Sequence, residues 1–224
     1  MTSPVYVAID TADIARAKAV ATRVKSQVGG LKLGLEFFAA NGPAGMREMA
    51  ALGLPLFLDL KLHDIPNTVA KAVHALSPLE PAVITVHAAG GRAMMEDAKA
   101  AAHAGTKVVG VTVLTSFDGA DLEAIGAGGD ISAQVVRLAA LARAAGLDGV
   151  VCPGSEVAAV KAAWPDAFIV VPGVRAPGAD AGDQKNVVTA REAHDAGASI
   201  IVIGRPITLA DDPAAAARAI AATL

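Results

Sequence analysis

The sequence predicts an α/β fold, a closed (β/α)8 TIM barrel formed as a single domain over residues 1–224, on three observations. Short apolar runs of strand type alternate with alanine-rich stretches of helical period from end to end. There are eight such runs, and 224 residues shared among eight units give 28 each, compact for this barrel but within its range. Charged residues end the first and third runs and another lies on the second, which in a barrel brings them toward the C-terminal face on which such barrels carry their chemistry. An open doubly wound sheet fits the same alternation, because pattern alone does not reveal closure.

In order, the expected strands are Val5–Asp10, Leu31–Glu36, Leu56–Lys61, Ala82–His87, Lys107–Leu114, Gly149–Cys152, Ala167–Val171 and Ser199–Gly204. Between them, Ile14, Ala17, Ala21, Val24 and Val28 recur at three- and four-residue spacing, the stripe of a helix packed on a core. Further helices are expected over Pro43–Leu52, Pro66–Leu76, Arg92–Ala102, Ser132–Ala144, Ser155–Ala163, Val188–Ala196 and Pro213–Ala222. Asp10-Thr11 before the first helix and Asp212-Pro213 before the last are start signals. Two Gly-rich polar stretches, Ser116–Asp130 and Pro172–Asn186, exceed the usual connection length and each follows a strand, which suits lids or binding loops.

Composition narrows the function. Apolar residues make up 54% and charged residues 18%, ample for a packed core and far from the disordered regime. A net charge of −3 and 3% aromatic residues give neither the basic face nor the stacking platform of a nucleic-acid binder. No apolar run approaches the length of a membrane span, and the N-terminus has no signal-peptide pattern. The single cysteine, Cys152, excludes an internal disulfide and suits the cytoplasm. No His/Cys/Asp spacing matches a zinc site, so no metal is expected. His63 and His87 fall near the mouth and are read as structural.

Two constellations carry chemistry. Asp10, Lys32, Asp59 and Lys61 alternate acid and base on strands one to three, with Asp64 just beyond. Residues two apart on a strand share a face, so Asp59 and Lys61 point together while Leu58, Leu60 and Leu62 point the other way. A lysine held between Asp59 and Asp64 keeps its proton, because neighbouring negative charge favours the ammonium, and it can act as a positioned proton donor. The alternative is an ion network that only fixes strand register. The second constellation suits an anion: Gly204-Arg205 at the end of strand eight, with Gly173, Arg175 and Gln184 in the preceding long loop. Loops after strands seven and eight form the common phosphate site of this fold, and arginine offers a bidentate fork. An arginine capping the rim is the alternative.

Residues Asp59-Leu-Lys61-Leu-His63-Asp64-Ile-Pro-Asn-Thr68 resemble the signature of the orotidine 5'-phosphate decarboxylase family, with its Asp-x-Lys-x-x-Asp centre. The likeness runs the length of the chain, through Val7–Asp10, Leu31–Gly34, Val111–Ser116, Pro172–Arg175, Gly182–Gln184 and Ile203–Pro206. It implies a barrel, no cofactor, and conversion of orotidine 5'-phosphate to UMP and carbon dioxide in pyrimidine biosynthesis. By resemblance, Lys61 donates the proton, Asp59 faces the leaving carboxylate, and Lys32 and Asp10 contact the ribose. Ser116 would hydrogen-bond the pyrimidine, with Thr115 beside it; Arg175, Gln184, Gly204 and Arg205 would hold the phosphate, and Pro172 would belong to the substrate site. The resemblance further implies a homodimer whose sites are shared, with Asp64 and Thr68 supplied by the partner chain. A hexulose-phosphate synthase, which uses magnesium, shares the Asp-x-Lys-x-x-Asp centre but resembles this chain in neither Lys32 nor the Ile-Pro-Asn-Thr that follows Asp64.

Overall fold

A computed structural model describes residues 3–174 and 188–224. Its strands are β1 (Val5–Ile9), β2 (Gly30–Gly34), β3 (Leu56–Leu62), β4 (Val83–His87), β5 (Lys107–Val111), β6 (Gly149–Val151), β7 (Phe168–Val171) and β8 (Ile200–Ile203). All neighbours pair in parallel, and β8 returns to β1 through Val5↔Ile201, Tyr6↔Val202 and Val7↔Ile203. The sheet therefore closes, and the open alternative falls away. The helices are α1 (Ile14–Val24), α2 (Leu35–Ala50), α3 (Pro66–Leu76), α4 (Arg92–Ala101), α5 (Gly119–Ala124), α6 (Ile131–Ala144), α7 (Val157–Ala163), α8 (Ala190–Asp195), α9 (Arg205–Thr208) and α10 (Pro213–Ala221).

Two apolar layers follow from strand alternation. Outward-facing residues such as Val7, Leu31, Leu58 and Ile84 pack with the buried stripes of the helices, for example Val69, Val73 and Leu76 of α3. Inward-facing Ala8, Phe57, Val109, Val151, Val170 and Val202 fill the lower barrel. At the bottom the fit depends on missing side chains: a Cβ at Gly149 would lie 1.9 Å from the Phe168 carbonyl oxygen, and one at Gly30 would lie 2.2 Å from the Tyr6 ring.

The elements differ from the sequence expectation in places that matter for the site. The second strand ends at Gly34, and Glu36 lies in the first turn of α2, which begins eight residues before the expected Pro43. Helix α2 runs through a kink at Gly42, whose φ of 57° suits a residue without Cβ. Asp13, rather than Asp10-Thr11, caps α1, its Oδ1 accepting from the amides of Ala15 (2.8 Å) and Arg16 (3.1 Å). That leaves the Asp10 carboxylate available to the barrel mouth. Asp212 caps α10 as expected. The long stretch after β5 contains α5, closed by a reciprocal capping box between Asp118 and Asp121.

Candidate active site

The irregularity of β3 shapes the site. Register with β4 pairs Leu58 with Ile84 and then Leu62 with Val86, so four residue steps on β3 face two on β4. The extra residues form a bulge, a feature that re-aims side chains beside barrel sites. At the bulge Lys61 takes φ +49°, the left-handed region, at a cost of about 1–3 kcal/mol for a residue with a Cβ. Its amide has no strand partner in that register and donates instead to the Thr85 hydroxyl at 2.8 Å. The expected faces survive the bulge: Leu58 and Leu60 lie in the outer core, while Asp59 and Lys61 line the mouth.

Four charges make a continuous chain across β1, β2 and β3. Lys32 Nζ lies 3.1 Å from Asp10 Oδ1 and 3.5 Å from Asp59 Oδ2. Lys61 Nζ donates to the same Asp59 Oδ2 at 2.7 Å, and the Thr85 hydroxyl donates to Asp59 Oδ1 at 3.1 Å. The side chains of Lys32 and Asp59 are 11% and 13% exposed, against 31% for Lys61 and 57% for Asp10. The inner pair is therefore largely shielded from solvent and the outer pair faces the opening. Gly34 leaves room for this array, since a Cβ there would sit 3.0 Å from Lys32 Nζ.

Burial alone would raise the pKa of Asp59. The charges of Lys32 and Lys61, with the hydrogen bonds from Lys61 and Thr85, outweigh burial and hold the carboxyl below its ordinary range. Because the folded pKa lies below the unfolded value of about 3.9, the resulting stabilisation is present above pH ~4 and is lost as pH falls through the folded pKa. Urea midpoints of the wild type and Asp59→Asn should accordingly differ most near neutrality and converge in acid. A gap that stays constant from pH 7 to pH 3 would contradict this linkage.

The array forms one wall of a cavity of about 610 Å³ at the C-terminal mouth, floored by Ala8, Phe57, Val111, Val151, Val170 and Val202. Of the residues expected from sequence, Asp10, Lys32, Asp59, Lys61, Thr115, Pro172, Gly204 and Arg205 all line it, as does Gly173. Ser116 is exposed beside the lining and is not part of it. Arg175 and Gln184 lie outside the described residues. Asp64 and Thr68 are exposed and do not line this cavity. The Asp64 carboxylate accepts from the adjacent amide of Ile65 at 2.7 Å, and Lys61 has its ion pair with Asp59 instead. Among the described residues, a lysine boxed on both sides is thus corrected to a lysine paired with Asp59, because Asp64 follows the bulge and bonds the Ile65 amide at the start of α3.

Sequence reasoning did not single out Thr85, although Val83, Thr85 and His87 share a face by simple alternation. It also passed over Arg16, which lines the cavity from the first turn of α1. His63 and His87 meet each other with ring centroids 5.4 Å apart. Burial, then the charges of His63 and Lys61, hold His87 below the usual imidazole range despite Asp59. Cys152 is fully buried, and burial, with a smaller contribution from Glu156, pushes its thiol up to about 12, as suits an inert core residue. Among the described residues, no group of three or more His, Cys, Asp or Glu side chains is placed to hold a metal. No described helix is long and apolar enough to cross a membrane.

A lysine–aspartate array above an apolar barrel floor is a chemical arrangement, and comparison with known proteins gives it a family. The sequence model of the "Orotidine 5'-phosphate decarboxylase / HUMPS family" matches residues 3–220. The chain belongs to the orotidine 5'-phosphate decarboxylase / HUMPS family. It is 64% identical over 224 residues to the orotidine 5'-phosphate decarboxylase of Sphingopyxis alaskensis, covering 100% of both chains. It is 60% identical to the protein of the same name from Novosphingobium aromaticivorans, again over 100% of both. Among solved structures, the orotidine 5'-phosphate decarboxylase of Lactobacillus acidophilus superposes with a TM-score of 0.85 at 35% identity, covering 99% of this chain and 98% of that one. Family membership thus agrees with the barrel and with the resemblance carried by the Asp59–Thr68 motif.

Proposed function

We propose that this chain is a single-domain cytoplasmic enzyme that converts orotidine 5'-phosphate to UMP and carbon dioxide without a cofactor, as a homodimer with shared sites. The observation that carries the reading is the charge chain Asp10–Lys32–Asp59–Lys61 along one wall of an apolar-floored cavity. Near-complete identity of length with decarboxylases 60–64% identical supports it.

The chemistry follows from charge. The bond between the pyrimidine ring and its carboxylate breaks, carbon dioxide leaves, and the electron pair stays on the ring carbon. Only a group preorganised for that developing charge lowers the barrier, since equal binding of substrate and transition state gains nothing in turnover. The Lys61 ammonium fills this role: it stabilises the carbanionic carbon and then transfers its proton there, forming UMP and leaving a neutral amine that solvent reprotonates. Asp59, held ionised by its neighbours, faces the departing carboxylate and keeps Lys61 aimed. Lys32 and Asp10 hold the ribose, and Thr115 and Ser116 hold the pyrimidine. Arg175, Gln184, Gly204 and Arg205 hold the phosphate, and Pro172 lines the substrate site.

In this arrangement Asp64 and Thr68 serve the neighbouring subunit's cavity. Their exposure here, beside the 66% exposed Ile65, supports that assignment. Incubating the purified protein with orotidine 5'-phosphate in the presence of EDTA tests the reaction. UMP should form at an undiminished rate. Activity that EDTA removes and magnesium restores would favour the metal-dependent branch of the family instead.

A further inference from the structure

The lower barrel is packed with valine, yet at the level of the bulge β4 turns a hydroxyl inward. Thr85 is 0% exposed and does not line the cavity. A buried hydroxyl among valines is unfavourable unless it is bonded, and a valine of nearly equal volume would fill the same space without that cost. Both capacities of this hydroxyl are used. Its oxygen accepts from the Lys61 amide at 2.8 Å, and it donates to Asp59 Oδ1 at 3.1 Å. An ionised carboxylate only accepts, so the hydroxyl proton is committed to Asp59 and a lone pair to the Lys61 amide.

We infer that Thr85 is a positioning residue for the reaction proposed above: one hydroxyl ties the Lys61 backbone to the Asp59 carboxylate and sets the proton donor against its counter-ion. The assignment rests on that reaction. The need for such a tie arises from the bulge. Between Leu58 and Leu62 the β3–β4 ladder supplies no register pair, so the backbone that carries Lys61 lacks the usual cross-strand restraint. The left-handed φ of Lys61 persists only where the surroundings over-determine it. Thr85 supplies that restraint and simultaneously fixes one oxygen of Asp59, while both lysines converge on the other. Losing the hydroxyl frees Lys61 and Asp59 to drift relative to one another, and small misplacement of a reacting group is costly in rate.

The test compares wild type, Thr85→Val and Thr85→Ser in kcat and KM for orotidine 5'-phosphate, in UMP affinity and in thermal midpoint. For Thr85→Val we expect kcat lower by about 10- to 100-fold, with KM and UMP affinity within about threefold of wild type, the pattern of an interaction realised in the transition state. Thr85→Ser, which keeps the hydroxyl, should return kcat to within about threefold. Should the valine protein not fold, Thr85→Cys, similar in size but a weak donor, carries the expectation placed on valine. A valine variant as fast as wild type overturns the assignment, as does serine being no better than valine. A loss of kcat matched by an equal loss of UMP affinity also overturns it, since the residue would then support the whole pocket. A wild type that forms no UMP overturns the reaction itself and this assignment with it.

Discussion

Replacing Lys61 with alanine is expected to lower kcat by on the order of 10⁴ or more while the protein stays folded. General acid catalysis contributes typically 10²–10⁴, and a preorganised charge aimed at the developing carbanion contributes on the order of 10²–10³ more. Lys61 is the one group in the array asked to supply both. The fold should tolerate the loss, because Asp59 keeps Lys32 at 3.5 Å and Thr85 at 3.1 Å and is not left as an uncompensated buried charge. Lys61→Gly, which relieves the left-handed backbone strain, should be as inactive and no less stable than the alanine variant. Single-turnover rates and thermal midpoints check both halves of the expectation. Retention of more than about a tenth of wild-type activity, a loss under roughly 1.4 kcal/mol, would remove Lys61 from the role of proton donor.

The sequence made the barrel legible because its periodicities were consistent. All eight strands fall within three residues of their expected ends, and α3 falls on the expected residues because Pro66 begins it and Val69, Val73 and Leu76 stripe one face. What stayed hidden depended on contacts between distant segments. The start of α2 was masked because Leu35 and Glu36 continue an alternation begun in β2, and only sheet closure determines where a strand must stop. Helix α5 was signalled by Asp118 and Asp121 three apart, a cap that polar glycine-rich surroundings obscured.

In the site, Asp10, Lys32, Asp59 and Lys61 were readable as a group, since charges carried by three successive strands converge once the barrel closes. The bulge was not, because its cause is the mismatch of β3 against β4 and its only local trace is the φ of Lys61. For the same reason the separation of Asp64 from Lys61 could not be read from their three-residue spacing. Thr85 was invisible as a partner, because nothing in residues 83–87 names the strand across from it.

The placement of Asp64 leads to the second large effect. If Asp64 and Thr68 act in the neighbouring subunit's cavity, Asp64→Ala and Lys61→Ala should each be inactive alone, yet active when mixed under conditions that exchange subunits. In a heterodimer, the subunit with intact Lys61 receives intact Asp64 from its partner, while the opposite cavity collects both lesions. A twofold-symmetric dimer makes this partition obligatory. Random exchange at equal concentrations converts half the dimers to heterodimers with one native site of two. The mixture should therefore recover about a quarter of wild-type specific activity, against nearly none for either parent. The structural ground is that Asp64, two residues past the end of the bulged strand, has its neighbouring amide as its partner among the described residues, so a second carboxylate must come to Lys61 from elsewhere if the lysine is to be flanked on both sides. Mixtures that exchange subunits, shown by mass tagging, and remain as inactive as their parents would place each site wholly within one chain.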